Sequence, residues 1–292
     1  MTEPAARVLR VLAVGPSSTV QDRGRPGWLS SGVGHSGAAD LDSYGLANRL
    51  VANPEGAAAI ESVLGGLVVQ ATTATTVAVT GAPAPVLVDG RPAAHHSVLI
   101  LRPGQRLALG LASAGLRTYL AVRGGIAVEP VLGSRSTDTL AGIGPAPLAP
   151  GDELPIGPAP ASWPVLEVAP LPELSGAPVV VRARLGPRDD WFTEPSHLFE
   201  GAWVVSSEAD RVGARLDRAP GSPALARRDG RELPSEGMPA GAVQVPPSGS
   251  PVVFLADHPV TGGYPVVATV LSTDVSALGQ ARPGQALIFR RG

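Results

Sequence analysis

From Val63 to Arg123 the chain is a series of short runs in which apolar or β-branched residues alternate with others, most of them closed by glycine or proline. Leu67–Ala71, Thr76–Thr80, Val86–Val88, Ser97–Leu101, Arg106–Leu109 and Thr118–Arg123 are too short and too β-branched for helices. A period of two puts neighbouring side chains on opposite faces, so these runs predict strands. Arg7–Val14, ending at Gly15-Pro16, reads the same way. So do Val179-Val180-Val181, an irregular strand and turn within Val204–Arg215, the stretch from Val243 onward, and Ala286–Arg290. With 36 glycines and 31 prolines, long helices have little room.

Few helices are expected. Asp40 is a good N-cap, and Leu41, Tyr44, Leu46, Ala47, Leu50 and Val51 follow at mostly helical spacing up to Asn53-Pro54. Pro54 is read as opening a short second helix through Ala57–Ala59 towards Glu61. Arg188–Phe199 and Thr273–Ala281 are read as short helices, and Ser17–Ala39 as a polar loop. The uncharged stretch Ser62–Val88 holds five threonines and three glycines and alternates, which argues for buried sheet and not a bilayer span. Glu3 and the short apolar run Val11–Val14 argue against a signal peptide.

One turn recurs. Arg102-Pro103-Gly104-Gln105 and Arg282-Pro283-Gly284-Gln285 are identical, and Ala149-Pro150-Gly151-Asp152 is a weaker copy. Pro-Gly at the centre suits a type II turn leading into a strand. The repeat predicts two domains of related β architecture. The expected layout is an N-terminal β domain over 1–160 carrying the Gln21–Asp40 loop, a Pro/Ala-rich linker over 161–178, and a C-terminal β-barrel domain over 179–292.

Composition removes several mechanisms. All 23 basic residues are arginine, so no Schiff base, Walker A loop, Ser-Lys dyad or biotinyl-lysine is possible on this chain. There is no cysteine, which excludes disulfides, thiolate nucleophiles and Cys-ligated metals and is compatible with a cytoplasmic setting. A formal charge of -2 does not suit nucleic acid or a membrane surface. The five histidines, His35, His95, His96, His197 and His258, never stand at metal-binding helical spacing, and no metal is predicted.

Two stretches concentrate reactive groups. Asp257-His258-Pro259-Val260-Thr261-Gly262-Gly263-Tyr264-Pro265 interrupts the apolar runs Val252–Ala256 and Val266–Leu271. Gly262 and Gly263 allow a ligand to reach backbone N–H groups, Thr261 and Tyr264 can donate hydrogen bonds, and Asp257 or His258 could move a proton. The bland alternative is a hairpin with Gly-Gly at its turn. The second stretch is Gln21-Asp22-Arg23-Gly24-Arg25, whose arginine fork could hold a planar amide or carboxylate. A solvated turn with an internal ion pair is its alternative. Gly34-His35-Ser36-Gly37-Ala38 departs from the G-x-S-x-G elbow at its last position and lacks a strand before it, leaving His35 as a general acid/base candidate. Glu61 has a burying context and needs a partner. Arg123-Gly124-Gly125 and Arg135-Ser136-Thr137-Asp138 are possible anion nests.

These residues resemble a known family. Gln21–Gly27, Ser36-Gly37 with Asp40, Leu46–Val51, Asn53-Pro54, Glu61, Leu64–Gly66, Leu120–Ile126, Leu132–Asp138, Gly241–Pro246 and Thr261–Pro265 are similar, in order, to the KipA family. That family also goes by the 5-oxoprolinase C subunit, allophanate hydrolase subunit 2, or the biotin-dependent carboxyltransferase family. The resemblance implies cyclophilin-like β domains and work with a KipI-like B subunit, and in some sets a LamB/YcsF-like A subunit. It implies ATP-dependent opening of 5-oxoproline to glutamate by the complex, or carboxyl transfer from carboxybiotin carried by another protein, as in urea carboxylase. A regulatory, non-catalytic KipA-like binding protein is the third implied role. On this footing Asp22, His35, Asp257, His258 and Tyr264 are catalytic candidates. Gln21, Arg25, Ser36, Asp40, Arg123, Gln244, Thr261, Gly262 and Gly263 are substrate-binding candidates for a small amide or lactam, with the two loops expected as walls of one cleft.

Overall fold

A computed structural model describes residues 6–163, 165–170 and 174–292. Glu3, and Pro164 and 171–173 of the expected linker, lie outside the described residues. The fold is mainly β, as expected. The chain forms two compact units: the first comprises the chain up to Arg25 with Asp40–Asp138 and Gly142–Ser175, the second Pro26–Ala39, Thr139–Ala141 and Gly176–Gly292.

Among the described residues, the first unit holds a six-stranded and a five-stranded sheet. The six-stranded sheet runs β11 (Glu153–Pro155), β1 (Val8–Val14), β4 (Leu67–Ala71), β9 (Arg106–Leu109), β6 (Val86–Val88), β7 (Arg91–Ala93). The five-stranded sheet runs β2 (Ser17–Gln21), β3 (Ala59–Val63), β10 (Arg117–Val122), β5 (Thr75–Gly81), β8 (Val98–Leu101). Alternate residues of both sheets meet in one core: Leu9 and Val11, Leu67 and Val69, Leu107 and Leu109 from one, and Val20, Ile60, Val77, Val79, Leu120 and Val122 from the other. Period-two alternation is the direct cause, since it delivers one apolar face per strand.

Helix α1 (Leu41–Leu50) covers the outer face of β5 and β10, burying Tyr44, Ala47 and Leu50. This is why β10 is buried along its whole length. Asp40 caps α1, accepting from the Asp42 and Ser43 backbone N–H groups. Thr80 donates from Oγ1 to the Ser43 carbonyl at 2.6 Å, tying the helix to the sheet.

The second unit is a closed barrel of β12 (Val179–Leu185), β19 (Val266–Val270), β16 (Ala242–Gln244), β17 (Val252–Phe254), β14 (Gly213–Arg218), β13 (Trp203–Val205) and β20 (Ala286–Arg291). β12 and β20 pair in parallel and the remaining neighbours are antiparallel. Its core contains Val181, Trp203, Leu216, Val243, Val253, Val267, Leu287 and Phe289. A separate ribbon pairs β15 (Glu236–Gly237) with β18 (Thr261–Gly262).

Several local expectations are corrected. Ser17–Gln21 is a strand and not loop, because it forms the edge partner of β3. Residues from Ala59 onward are strand and not helix: Gly56 breaks the turn after Pro54, and Ile60 and Glu61 fall on opposite faces of a central strand. Arg188–Phe199 holds two 3₁₀ turns, Asp189–Trp191 and Pro195–Phe199, and Thr273–Ala281 reduces to α2 (Val275–Leu278) after a 3₁₀ turn.

The recurring turn keeps one geometry three times. Gln105, Asp152 and Gln285 each donate from the backbone N–H to the carbonyl three residues before, at 3.0, 3.2 and 3.0 Å. Each also accepts, through its side chain, the backbone N–H of that same residue, at 2.8, 2.8 and 3.1 Å. The central glycines have φ of 84°, 100° and 82°.

Candidate functional site

In the N-terminal unit, β2 delivers Gln21 and Asp22 to the segment 134–138. Asp22 accepts from Gly24 N–H at 2.7 Å, Ser134 Oγ at 2.7 Å, Arg135 N–H at 2.6 Å and Ser136 Oγ at 2.6 Å. Gln21 donates from Nε2 to the Thr137 carbonyl at 2.9 Å, and Arg25 from Nη2 to the adjacent Ser136 carbonyl. Arg25 is 1% exposed, with Nη1 3.6 Å from Asp138 Oδ2. Its Nε and Nη1, and Gln21 Oε1, are sealed from solvent without a hydrogen-bond partner. Buried groups of this kind are costly, and the Arg25 charge is met by Asp138 at the longer ion-pair distance.

A second buried chain of hydrogen bonds runs beside the helix N-terminus. The Asp40 N–H donates to Tyr119 Oη at 2.8 Å, and Tyr119 Oη donates to Glu61 Oε2 at 2.7 Å. Arg117 Nε lies 3.3 Å from Glu61 Oε1. Glu61 thus has the partner its burial demands. Burial, reinforced by Glu61, raises the Tyr119 phenol well above its ordinary pKa, so it stays a donor. Asp40 Oδ2 also accepts from Ser43 Oγ at 2.6 Å, which places its carboxylate in the helix cap. Arg123 is engaged by backbone: its guanidinium donates to the Val51, Pro160 and Ser162 carbonyls and lies 4.4 Å from the Trp163 ring centroid.

In the C-terminal unit, Asp257 and Arg211 form a buried bidentate pair, Nε to Oδ2 at 2.8 Å and Nη2 to Oδ1 at 2.9 Å. Ser36 Oγ donates to Oδ1 at 2.7 Å, while Thr139 gives Oδ2 its backbone N–H at 2.9 Å and its Oγ1 at 2.8 Å. Arg211 also donates from Nη2 to the Gly37 carbonyl at 2.5 Å. Burial alone would raise the Asp257 pKa; the Arg211 charge and these donors outweigh it and hold the carboxyl below its usual range. Asp257 is therefore a fixed anion that clamps Ser36 and Thr139 of the same unit, while its partner Arg211 holds Gly37.

His258 stacks on Phe254, centroids 5.9 Å apart, with Nδ1 2.9 Å from the Pro259 carbonyl. That contact requires the proton on Nδ1, leaving Nε2 as the acceptor in the neutral ring. His35 is exposed. Gln244 ends β16 and donates from Nε2 to the Tyr264 carbonyl at 3.2 Å. A Cβ at Gly262 would stand 2.5 Å from Gln244 Nε2, so any other residue there displaces the end of that side chain. Thr261 and Gly263 are exposed, and Tyr264 is 46% exposed. The structure thus joins Gln21, Asp22 and Arg25 in one cluster, Ser36 with Asp257 in a second, and Gln244, Gly262 and Tyr264 in a third; Asp40 and Arg123 serve the helix cap and a backbone anchor.

Arg211, Thr139, Ser134 and Tyr119 were not singled out by the sequence. A signal existed for Arg211. Asp210-Arg211-Val212-Gly213 echoes Asp22-Arg23-Gly24, and both aspartates accept from backbone N–H groups two residues on, at 2.8 and 2.7 Å. Among the described residues, no group of three or more His, Cys, Asp or Glu could hold a metal, and no helix is long and apolar enough to cross a membrane.

The comparisons with known proteins agree with this architecture. The chain is 38% identical to the 5-oxoprolinase C subunit of Escherichia coli K12 over 97% of its own length and 90% of that protein. It is 34% identical to the urea amidolyase of Lachancea kluyveri over 96% of its length, although that match covers 16% of the larger protein. The crystal structure of TTHA0988 superposes with a TM-score of 0.87 at 36% identity, covering 99% of this chain. Here the chain spans 57% of the solved chain's length. Residues 31–291 match the family described as carboxyltransferase domain, subdomain A and B. The chain belongs to the carboxyltransferase domain family.

Proposed function

We propose that this chain is the C subunit of a 5-oxoprolinase-type complex that opens 5-oxoproline to glutamate with ATP, acting with a KipI-like B subunit and, as in some sets, a LamB/YcsF-like A subunit. The observation that carries the reading is the two-way coverage of the match to the Escherichia coli protein: 97% of this chain against 90% of that one. The chemistry of the Gln21–Arg25 cluster supports it. A lactam bearing a carboxylate offers one N–H donor and several oxygen acceptors; Gln21 Oε1 would take the first and Arg25 Nε and Nη1 the second once the complex opens this cluster, which is closed to solvent in the chain alone. Gln21 and Arg25 are held on the consecutive carbonyls of Thr137 and Ser136, which fixes the two side chains on neighbouring residues.

Among the remaining candidates, His258 Nε2 and the half-exposed Tyr264 hydroxyl are the groups placed to handle a proton. Asp257 is a positioning residue, since its oxygens already accept from Arg211, Ser36 and Thr139. A chain without lysine has no Walker A loop. The test mixes the purified chain with its partner subunits, ATP and 5-oxoproline and measures glutamate release. Arg25→Gln should raise KM for 5-oxoproline about tenfold or more, the loss of one charge-assisted contact. Absence of glutamate release from the complete mixture sinks the reading.

The second reading is carboxyl transfer to urea or another amide, favoured by the 34% identity to a urea amidolyase. Having no lysine, this chain would take its carboxybiotin from another protein. Avidin-sensitive incorporation of labelled bicarbonate separates this reading from the first.

A further inference from the structure

The C-terminal unit has a cavity of about 500 Å³ whose wall contains none of the residues assigned above. Arg218, at the end of β14, forms one side; residues 224–227 and the turn 247–250 form the others. We infer that this cavity is a binding pocket for a phosphate group, free or carried on a small ester.

Charge is the first argument. Two guanidiniums line the cavity and no Asp or Glu does. Among the described residues neither arginine forms an ion pair: Arg218 donates to the Ser222 carbonyl at 3.3 Å and Arg227 to the Arg231 carbonyl at 2.5 Å. Arg211 of the same unit, by contrast, is paired with the Asp257 carboxylate. Carbonyls do not neutralise a guanidinium: Arg218 is exposed and meets solvent, while half-buried Arg227 has its Nε without an acceptor. An anion in the cavity would supply what is missing.

Rigidity is the second. The 224–228 segment is pinned by backbone bonds, Thr193 N–H to the Ala226 carbonyl at 3.0 Å and Arg228 N–H to the Trp191 carbonyl at 2.8 Å. Arg227 lies 5.8 Å from the Trp191 ring centroid. Opposite, Pro246-Pro247-Ser248-Gly249 closes a turn through Gly249 N–H to the Pro246 carbonyl at 3.0 Å, and Ser248 and Ser250 both line the cavity. Two guanidinium forks and two hydroxyls exceed what a two-oxygen carboxylate can use but match a phosphate. No aromatic face lines the wall to stack a base, so the phosphate is the part recognised.

The inference stands whether or not the proposed enzymatic activity does. Its test is calorimetric titration of the full chain at low salt with inorganic phosphate, ATP and adenosine, with amide shifts followed by NMR. Saturable binding of phosphate or ATP, without adenosine binding, is expected, with shifts at Gly249, Ser250 and Ala226. Phosphate binding as tightly as ATP identifies the free anion as ligand; tighter ATP identifies an ester. Arg218→Gln and Ser250→Ala, both at the cavity wall, should each weaken binding, the arginine change by about tenfold or more. Arg227→Gln also disturbs the Trp191 contact, so Arg218→Gln is the deciding variant. No saturable anion binding, full affinity in Arg218→Gln, adenosine binding alone, or shifts confined to other segments would overturn the proposal.

Discussion

Asp257 meets Arg211, Ser36 and Thr139 with both oxygens, and it is 1% exposed. Replacing it with asparagine removes the bidentate carboxylate from the buried Arg211 cation, and breaking a buried pair costs roughly 3–5 kcal/mol. The direction of its pKa shift fixes the pH dependence. A carboxyl held below its usual range stabilises the fold above its unfolded pKa of about 4, and that contribution is lost as pH falls through the folded value. Urea denaturation at pH 7 should therefore show a large deficit for Asp257→Asn that narrows steadily below about pH 4. A deficit that stays constant down to pH 2 would show that lost shape, and not lost charge, is responsible. Tyr119→Phe tests the other buried chain. It leaves the Asp40 N–H and Glu61 Oε2 short of a partner and should cost about 1–3 kcal/mol in the same assay.

Helix α1 reaches the sheet only through a correctly started first turn. Asp40→Ala removes the acceptor for the Asp42 and Ser43 N–H groups and for Ser43 Oγ, so a loss of about 0.5–2 kcal/mol is expected, with Asp40→Asn retaining most of the stability. Equal losses in both variants would mean that the charge and not the cap is what counts. At the β15–β18 ribbon, Gly262→Ala pushes Gln244 Nε2 off the Tyr264 carbonyl. Faster amide exchange around Tyr264, with the barrel transition little changed, is the expected readout. This helix and the strands β4, β5, β6, β8, β9 and β10 were legible in the sequence, because cap, period and β-branching agree there. Ala59–Val63 was not: three alanines favour helix locally, and only pairing on both sides with β2 and β10 makes it strand. The site was legible in the same uneven way. The Gln21–Arg25 and Asp257–Tyr264 stretches announce themselves by composition, whereas Arg211 and Thr139 matter through partners far away in sequence.

At the scale of the whole molecule, each unit has its own main hydrophobic core, and the barrel strands, from β12 to β20, all follow Gly176. A cut at Gly176 would look harmless from strand order alone. Yet Pro26–Ala39 and Thr139–Ala141 belong to the second unit, and they bring Ser36, Gly37 and Thr139 to the Asp257–Arg211 pair. A fragment 176–292 keeps every barrel ladder but leaves Asp257 the bidentate bonds of Arg211 without those of Ser36 and Thr139. It is expected to retain barrel secondary structure by circular dichroism while melting well below the intact chain's C-terminal unit. The Asp257 backbone N–H, bonded to the Arg211 carbonyl at 3.0 Å, should lose much of its exchange protection. Adding a peptide of residues 26–40 in trans should restore part of that protection, and a Ser36→Ala peptide should restore less. If the bare fragment melts and exchanges like the intact chain, the interleaved segments merely lie on the barrel, and the clamp assigned to Asp257 is not what holds them.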